Sequence, residues 1–137
     1  MLLRTLDERM LVSGQIHPSN LEEVKAEGVT MIVNNRPDDE EPGQPSAAEI
    51  EAAARAAGIA YRHIPVGSSG LSANQVQAMV EAVDEAPGKM LAFCRSGTRS
   101  TYLWALARVR KGDDPGEIVG KAAEAGYDLT PIRPYLG

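Results

Sequence analysis

The sequence of 137 residues predicts an α/β fold: a small central, mostly parallel sheet flanked by helices. Three observations carry this. Short β-rich runs alternate with longer helical stretches, and helix-start and helix-stop residues punctuate the alternation. Helices placed between successive strands imply parallel pairing through right-handed crossovers. A sheet built this way presents a site at the carboxyl ends of its strands.

The elements follow in order. Met10-Leu-Val-Ser13 is a short strand ending at Gly14. Ser19 or Asn20 caps a helix that runs through Glu27 and stops at Gly28. Val29–Asn34 is a buried strand, because it is a short apolar run between turn signals. Asn35–Pro45 is a polar loop with three prolines and four consecutive acids. Ser46-Ala-Ala-Glu49 is a capping box that opens an alanine-rich helix ending at Gly58. Ile59–Pro65 is the next strand. Ser72-Ala-Asn-Gln75 is a second capping box, and its helix runs to about Ala86. Pro87-Gly88 turns the chain into the strand Lys89–Phe93. The helix after Cys94 ends near Lys111-Gly112, and Asp114-Pro115 starts a last helix that ends at Gly126.

The bulk properties narrow the function. The length suits one domain over residues 1–137, burying roughly two thirds of the surface of its unfolded chain, so neither a disulfide nor a metal is needed. Net charge is −5 with no basic stripe, which argues against nucleic acid. No run approaches the about 18 apolar residues of a membrane span, and the N-terminus lacks a signal-peptide core. A single cysteine suits a reducing cytoplasm. His17 and His63 stand far apart with no metal-ligand spacing, so no metal or other cofactor is expected.

The chemistry is expected at residues 90–100. The apolar strand runs into Cys94, then Arg95-Ser96-Gly97-Thr98, then Arg99-Ser100 at the start of a helix. Such a junction points backbone N–H groups into a small cup, with the positive end of the helix behind it. That field, with Arg99, favours the thiolate at Cys94. Residues Arg95, Ser96, Gly97 and Thr98 form the anion-binding loop. Gly97 permits the tight turn, Ser100 can donate a hydrogen bond to the sulfur, and Arg95 points outward.

The loop is similar to those of cysteine-dependent phosphatases and of rhodanese-type sulfurtransferases. The phosphatase signature has five residues between cysteine and arginine; here there are four, as is typical of rhodaneses. Three segments together, Val12-Ser-Gly-Gln15, the run Asn34-Asn-Arg-Pro to Pro45, and Cys94-Arg-Ser-Gly-Thr-Arg-Ser100, resemble the phosphatase-like domain of the beta-lactamase-hydrolase-like proteins. The likeness spans most of residues 10–130. It implies a dual-specificity-phosphatase-like fold and either phosphatase-like or sulfurtransferase chemistry. Some relatives carry this domain fused to a metallo-hydrolase-like domain linked to sulfide oxidation. This sequence has no His-x-His-x-Asp-His motif and is expected to be the stand-alone form.

Sulfur transfer through a Cys94 persulfide, from a small anion such as thiosulfate to an external thiol, is the first expectation. A cysteine-dependent phosphatase is the second, and a non-catalytic anion or redox sensor the third. Phosphate-ester cleavage needs a proton donor for the leaving group, whereas sulfite leaves without one. The Pro65–Leu71 segment, which would supply that donor, contains no acid. The counter-argument is the run Asp38-Asp39-Glu40-Glu41. It reads first as a solvated acidic turn, but one of these acids, Asp38, Asp39, Glu40 or Glu41, can supply the proton if the loop folds over the same end of the sheet. Arg36 can hold the substrate anion or pair with those acids. Gln44 can donate to the anion or only close the turn. His63 is read as structural and His17 as turn or surface.

Overall fold

The computed structural model describes residues 1–67 and 70–137. They form a five-stranded sheet with helices on both faces. The strands are β1 (Arg4–Asp7), β2 (Met10–Ser13), β3 (Val29–Asn34), β4 (Ala60–His63) and β5 (Lys89–Phe93). The helices are α1 (Leu21–Ala26), α2 (Ala47–Ala56), α3 (Ala73–Glu85), α4 (Thr98–Arg110) and α5 (Pro115–Glu124). Across the sheet the order is β1-β2-β5-β3-β4, all parallel except β1, which runs antiparallel to β2.

The central strands are largely apolar because both of their faces are covered. Side chains alternate across the sheet. Met31, Val33, Met90 and Ala92 therefore enter one core, packed under α3, α4 and α5 by Met79, Leu103, Trp104 and Ile118. Ile32, Leu91 and Phe93 enter the other, closed by Leu21 and Val24 of α1 and Ile50 and Ala54 of α2. β5 lies in the middle of the sheet, so the loop leaving it is surrounded by the loops leaving β2 and β3.

β3 and β5 match the sequence expectation residue for residue, and several other elements differ from it. β1 is unforeseen: of its four residues only Leu6 is buried, so it carries no apolar pattern. A turn in which Asp7 Oδ1 accepts from the Arg9 N–H at 2.8 Å folds it onto β2. Neither Ser19 nor Asn20 caps α1. A 3-10 turn over Pro18–Asn20 feeds directly into the helix, and Asn20 Oδ1 instead accepts from the His17 N–H. β4 is shorter than Ile59–Pro65, because beyond His63 the chain leaves the sheet to cross toward the site. Ser46 caps α2 by accepting from the Glu49 N–H, without the reciprocal bond of a capping box, whereas Ser72 and Gln75 form the full box. After α5 the chain makes a further 3-10 turn, Thr130–Tyr135, which the sequence reading did not include.

Candidate active site

Phe93 hands the chain from the central strand to Cys94, which is fully buried. Ser13, the last residue of β2, and Gly14 just beyond it press against the loop that follows. The Cys94 N–H lies 3.4 Å from the Ser13 carbonyl, and a Cβ on Gly14 would stand 2.8 Å from the Arg95 carbonyl. Gly97 takes a left-handed backbone, φ 91°, which glycine adopts without steric cost. That turn aims the Gly97 N–H back at Cys94 Sγ, 3.1 Å away. α4 begins at the next residue, and the N–H groups of Thr98, Arg99 and Ser100 have no acceptor within the helix. The Gly97 carbonyl accepts from both the Thr101 N–H, at 3.0 Å, and its hydroxyl, at 2.8 Å, which locks the first turn.

Arg99 enters from that first turn, as the sequence places it. Its Nη1 donates to the Val66 carbonyl at 2.8 Å and to Glu40 Oε2 at 2.7 Å, while Nη2 donates to Glu40 Oε1 at 2.8 Å. The Arg99 hydrogen bond holds the Glu40 carboxyl down, from 4.5 to about 2, with Arg36 assisting against the opposing effect of burial. Glu40 in turn raises the pKa of Arg99, and the adjacent Cys94 adds to the rise.

The acidic loop therefore does fold over the cup. Its residues divide differently from the expectation. Asp38 Oδ1 accepts from the Ala47 N–H at 2.7 Å and serves the start of α2. Asp39 is exposed on a left-handed backbone, φ 62°. Glu41 accepts from Arg36 Nη2 at 3.0 Å and stands 3.6 Å from Arg95 Nη2. Of the four acids in the run, Glu40 is the one that touches Arg99. The reading as a plain solvated turn is overturned by these pairs.

Arg36 is buried, 1% exposed, and is fully used. It reaches Glu40 at 2.8 Å, Glu41 at 3.0 Å and, through Nη1, Gln15 Oε1 at 3.0 Å. It thus takes the ion-pair role and not the anion-holding one. Gln44 closes the turn by donating to the Pro37 carbonyl and accepting from the Glu40 N–H. Arg95 is exposed. The Ser96 hydroxyl faces that of Thr98 at 3.1 Å. The Ser100 hydroxyl is buried and, among the described residues, has no hydrogen-bond partner, so the expected bond to the sulfur is not made. His63 Nε2 lies 3.0 Å from the Arg36 carbonyl and braces that loop; His17 is exposed in a turn. Pro65–Leu71 reaches the cup through the Val66 carbonyl, while Ser68 and Ser69 lie outside the described residues.

Tyr127, after α5, was not foreseen. Its hydroxyl donates to the Ser96 carbonyl at 3.2 Å, and it packs so closely over Gly97 that a Cβ there would stand 2.2 Å from the oxygen. Burial, with Cys94 adding to it against the effect of Arg4, pushes the phenol pKa up, so the hydroxyl remains a donor. Among the described residues no cluster of three or more His, Cys, Asp or Glu is placed to hold a metal ion, and no helix is long and apolar enough to cross a membrane.

The segments Val12–Gln15, Asn34–Pro45 and Cys94–Ser100 thus converge on one ionic network over one cup. The family described as Beta-lactamase hydrolase-like protein, phosphatase-like domain, matches residues 2–111. The chain belongs to this family. A beta-lactamase hydrolase-like protein of Xylella fastidiosa is 37% identical over 134 residues. The match takes in 96% of this chain but spans only 31% of that relative's length. Among solved structures, a "putative phosphatase" from Neisseria meningitidis superposes with a TM-score of 0.85 at 33% identity, covering 99% of this chain and 96% of that one. Tk-PTP in its active form gives a TM-score of 0.76 at 21% identity, over 98% and 92% of the two chains. The fold of this beta-lactamase-hydrolase-like, phosphatase-like domain is therefore that of the dual-specificity and tyrosine-phosphatase-like proteins.

Proposed function

We propose that this domain is a cysteine-dependent phosphatase acting on a phosphate monoester. This reverses the order expected from the sequence, where sulfur transfer came first. The observation that carries it is the Glu40–Arg99 pair. A guanidinium fork stands at the cup with both prongs held by two oxygens of one carboxylate, the arrangement in which arginine grips a phosphate. The family's phosphatase-like description and the resemblance to the Neisseria protein support the same reading.

In this reading Cys94 Sγ attacks phosphorus while the free N–H groups of Thr98, Arg99 and Ser100 and the Arg99 guanidinium take the phosphoryl oxygens. The S–P bond forms as the ester P–O bond breaks, and the alcohol leaves with a proton. Glu40 is the donor. Paired with Arg99 it is ionised, but a phosphate on Arg99 removes its main hydrogen-bond partner and puts negative charge beside it. Both changes raise a carboxyl pKa. Water then attacks the phosphocysteine, its proton returns to Glu40, and phosphate and the Cys94 thiolate are released. Ser100, whose buried hydroxyl has no partner among the described residues, is free to donate to the sulfur as its charge returns at that step.

A sulfur-transfer reading keeps one observation in its favour: only four residues separate Cys94 from Arg99. Matched assays on one preparation decide between the two. Aryl-phosphate hydrolysis exceeding thiosulfate sulfurtransfer, and lost in Cys94→Ser, supports the phosphatase reading. Sulfurtransfer dominating, with no phosphate release, sinks it.

A further inference from the structure

A groove of about 790 Å³ opens beside the cup, and Arg99 lines both. One wall is a stripe of α4 that starts at Arg99, continues through the half-exposed Tyr102 and Leu106, and ends at Arg110. The opposite wall is Leu71 with Val76 of α3, and the far side is Ile132 and Tyr135 of the last 3-10 turn. The buried side of α4 is already occupied by Leu103, Trp104 and Ala107, so its outer stripe is a second apolar surface. Tyr135 is 75% exposed and is among the few large apolar residues left in solvent. From Arg99 to Arg110 the stripe runs about 16 Å at the helical rise.

We infer that this groove holds the apolar body of the substrate, and that the substrate is a single-chain alkyl phosphate monoester with its headgroup at Arg99. The inference rests on the phosphatase reading above. Three features select this occupant. The groove is continuous with the cup, so a molecule whose phosphate sits on Arg99 must send its remaining atoms outward past this surface. The walls between the two arginines are mainly apolar, with Ser72 and the tyrosine hydroxyls as their polar points. A peptide laid there would bury backbone N–H and C=O groups without partners, whereas an alkyl chain carries none. The stripe is also long and narrow, which suits an extended chain better than one ring. Arg110, held among the described residues by contacts of 3.4 Å to the Ala73 carbonyl and to Gln77, marks the polar outer end.

The test is calorimetric binding of methyl-, butyl- and octylphosphonate, which cannot be hydrolysed, to the intact chain. Affinity should rise with chain length, since each fully buried methylene is worth about threefold to fourfold. Partial burial should still give roughly tenfold or more from methyl to octyl. Leu106→Asp should abolish that gain while leaving methylphosphonate binding unchanged. Tyr135→Asp, at a site too exposed to threaten folding, should reduce it. Equal affinity for methyl- and octylphosphonate overturns the groove inference and leaves the phosphatase reading standing. A chain-length gain untouched by both substitutions also overturns it. Binding of none of the phosphonates overturns both readings together.

Discussion

Glu40 and Arg99 form a two-point ion pair, Oε2 to Nη1 at 2.7 Å and Oε1 to Nη2 at 2.8 Å, although they lie fifty-nine positions apart in the chain. The pair stands at the cup that holds Cys94. In the phosphatase reading a phosphate that takes Arg99 displaces this carboxylate and leaves it next to the leaving group.

Glu40→Gln should therefore have two opposite effects. Removing the competing charge should tighten inhibition by inorganic phosphate. Removing the proton donor should lower kcat/KM, which reports the ester-cleaving step, by about 10²–10⁴-fold for alkyl phosphates. The loss in kcat/KM should be much smaller for p-nitrophenyl phosphate, whose phenoxide leaves without help, while its kcat falls with the slowed water step. Steady-state kinetics on both esters check this; equal losses in kcat/KM on the two would show that Glu40 does not supply the proton.

The same pair has a pH signature in stability. Glu40 falls from 4.5 unfolded to about 2 folded, so its contribution is fully present above the unfolded value and is lost as pH drops toward the folded one. Wild type should exceed Glu40→Gln in unfolding free energy by a constant margin above about pH 5.5. The margin should shrink through pH 4 and be nearly gone by about pH 2. Urea unfolding at several pH values measures it, and a margin independent of pH contradicts the assignment.

Arg36 and Arg95 carry the same charge in opposite surroundings. Arg36→Ala removes the buried side chain that ties Glu40, Glu41 and Gln15 together and should cost about 1.5–3 kcal/mol. Arg95, 69% exposed and 3.6 Å from Glu41, should cost less than about 1 kcal/mol on the same change. Chemical denaturation of the two variants compares them. Similar losses would mean that the network around Arg36 is not what holds the acidic loop.

Gly97→Ala combines a strained φ with a clash against Tyr127 Oη. The left-handed backbone alone costs about 1–2 kcal/mol for an L residue. Tyr127→Phe removes the atom that the new methyl would strike at 2.2 Å, so the double variant should recover part of the loss. A double-mutant cycle reads the coupling; strictly additive effects would show that Tyr127 does not seat the loop.

Much of this was legible in the sequence where the signals are local. β3 and β5 are continuous apolar runs with turn residues at their ends, and they are read to the residue. Cys94, Gly97 and Arg99 stand in one loop, so their proximity follows from the chain itself. β1 was not legible because an edge strand with one buried residue has no pattern to detect. The sequence leaves Glu40 level with the other three acids of its run, because which of them meets Arg99 depends on how Gln44 and Arg36 fold the loop. Tyr127 reaches Ser96 from thirty-one positions away, and nothing local marks it. The four-residue spacing to Arg99 is informative about loop size, whereas the place of the acid is not local: the Asp38–Glu41 run meets Arg99 only through the fold of the loop after β3.

The central claim is that Cys94 carries the transferred group as phosphate. Rapid acid quench during turnover of p-nitrophenyl phosphate, followed by intact-mass and peptide mass spectrometry, tests it directly. The expected result is one phosphoryl group on the Cys94 peptide, absent in Cys94→Ser and accumulating when Glu40→Gln slows the water step. An unmodified Cys94 under phosphate-ester turnover, together with a single added sulfur after thiosulfate, would contradict it.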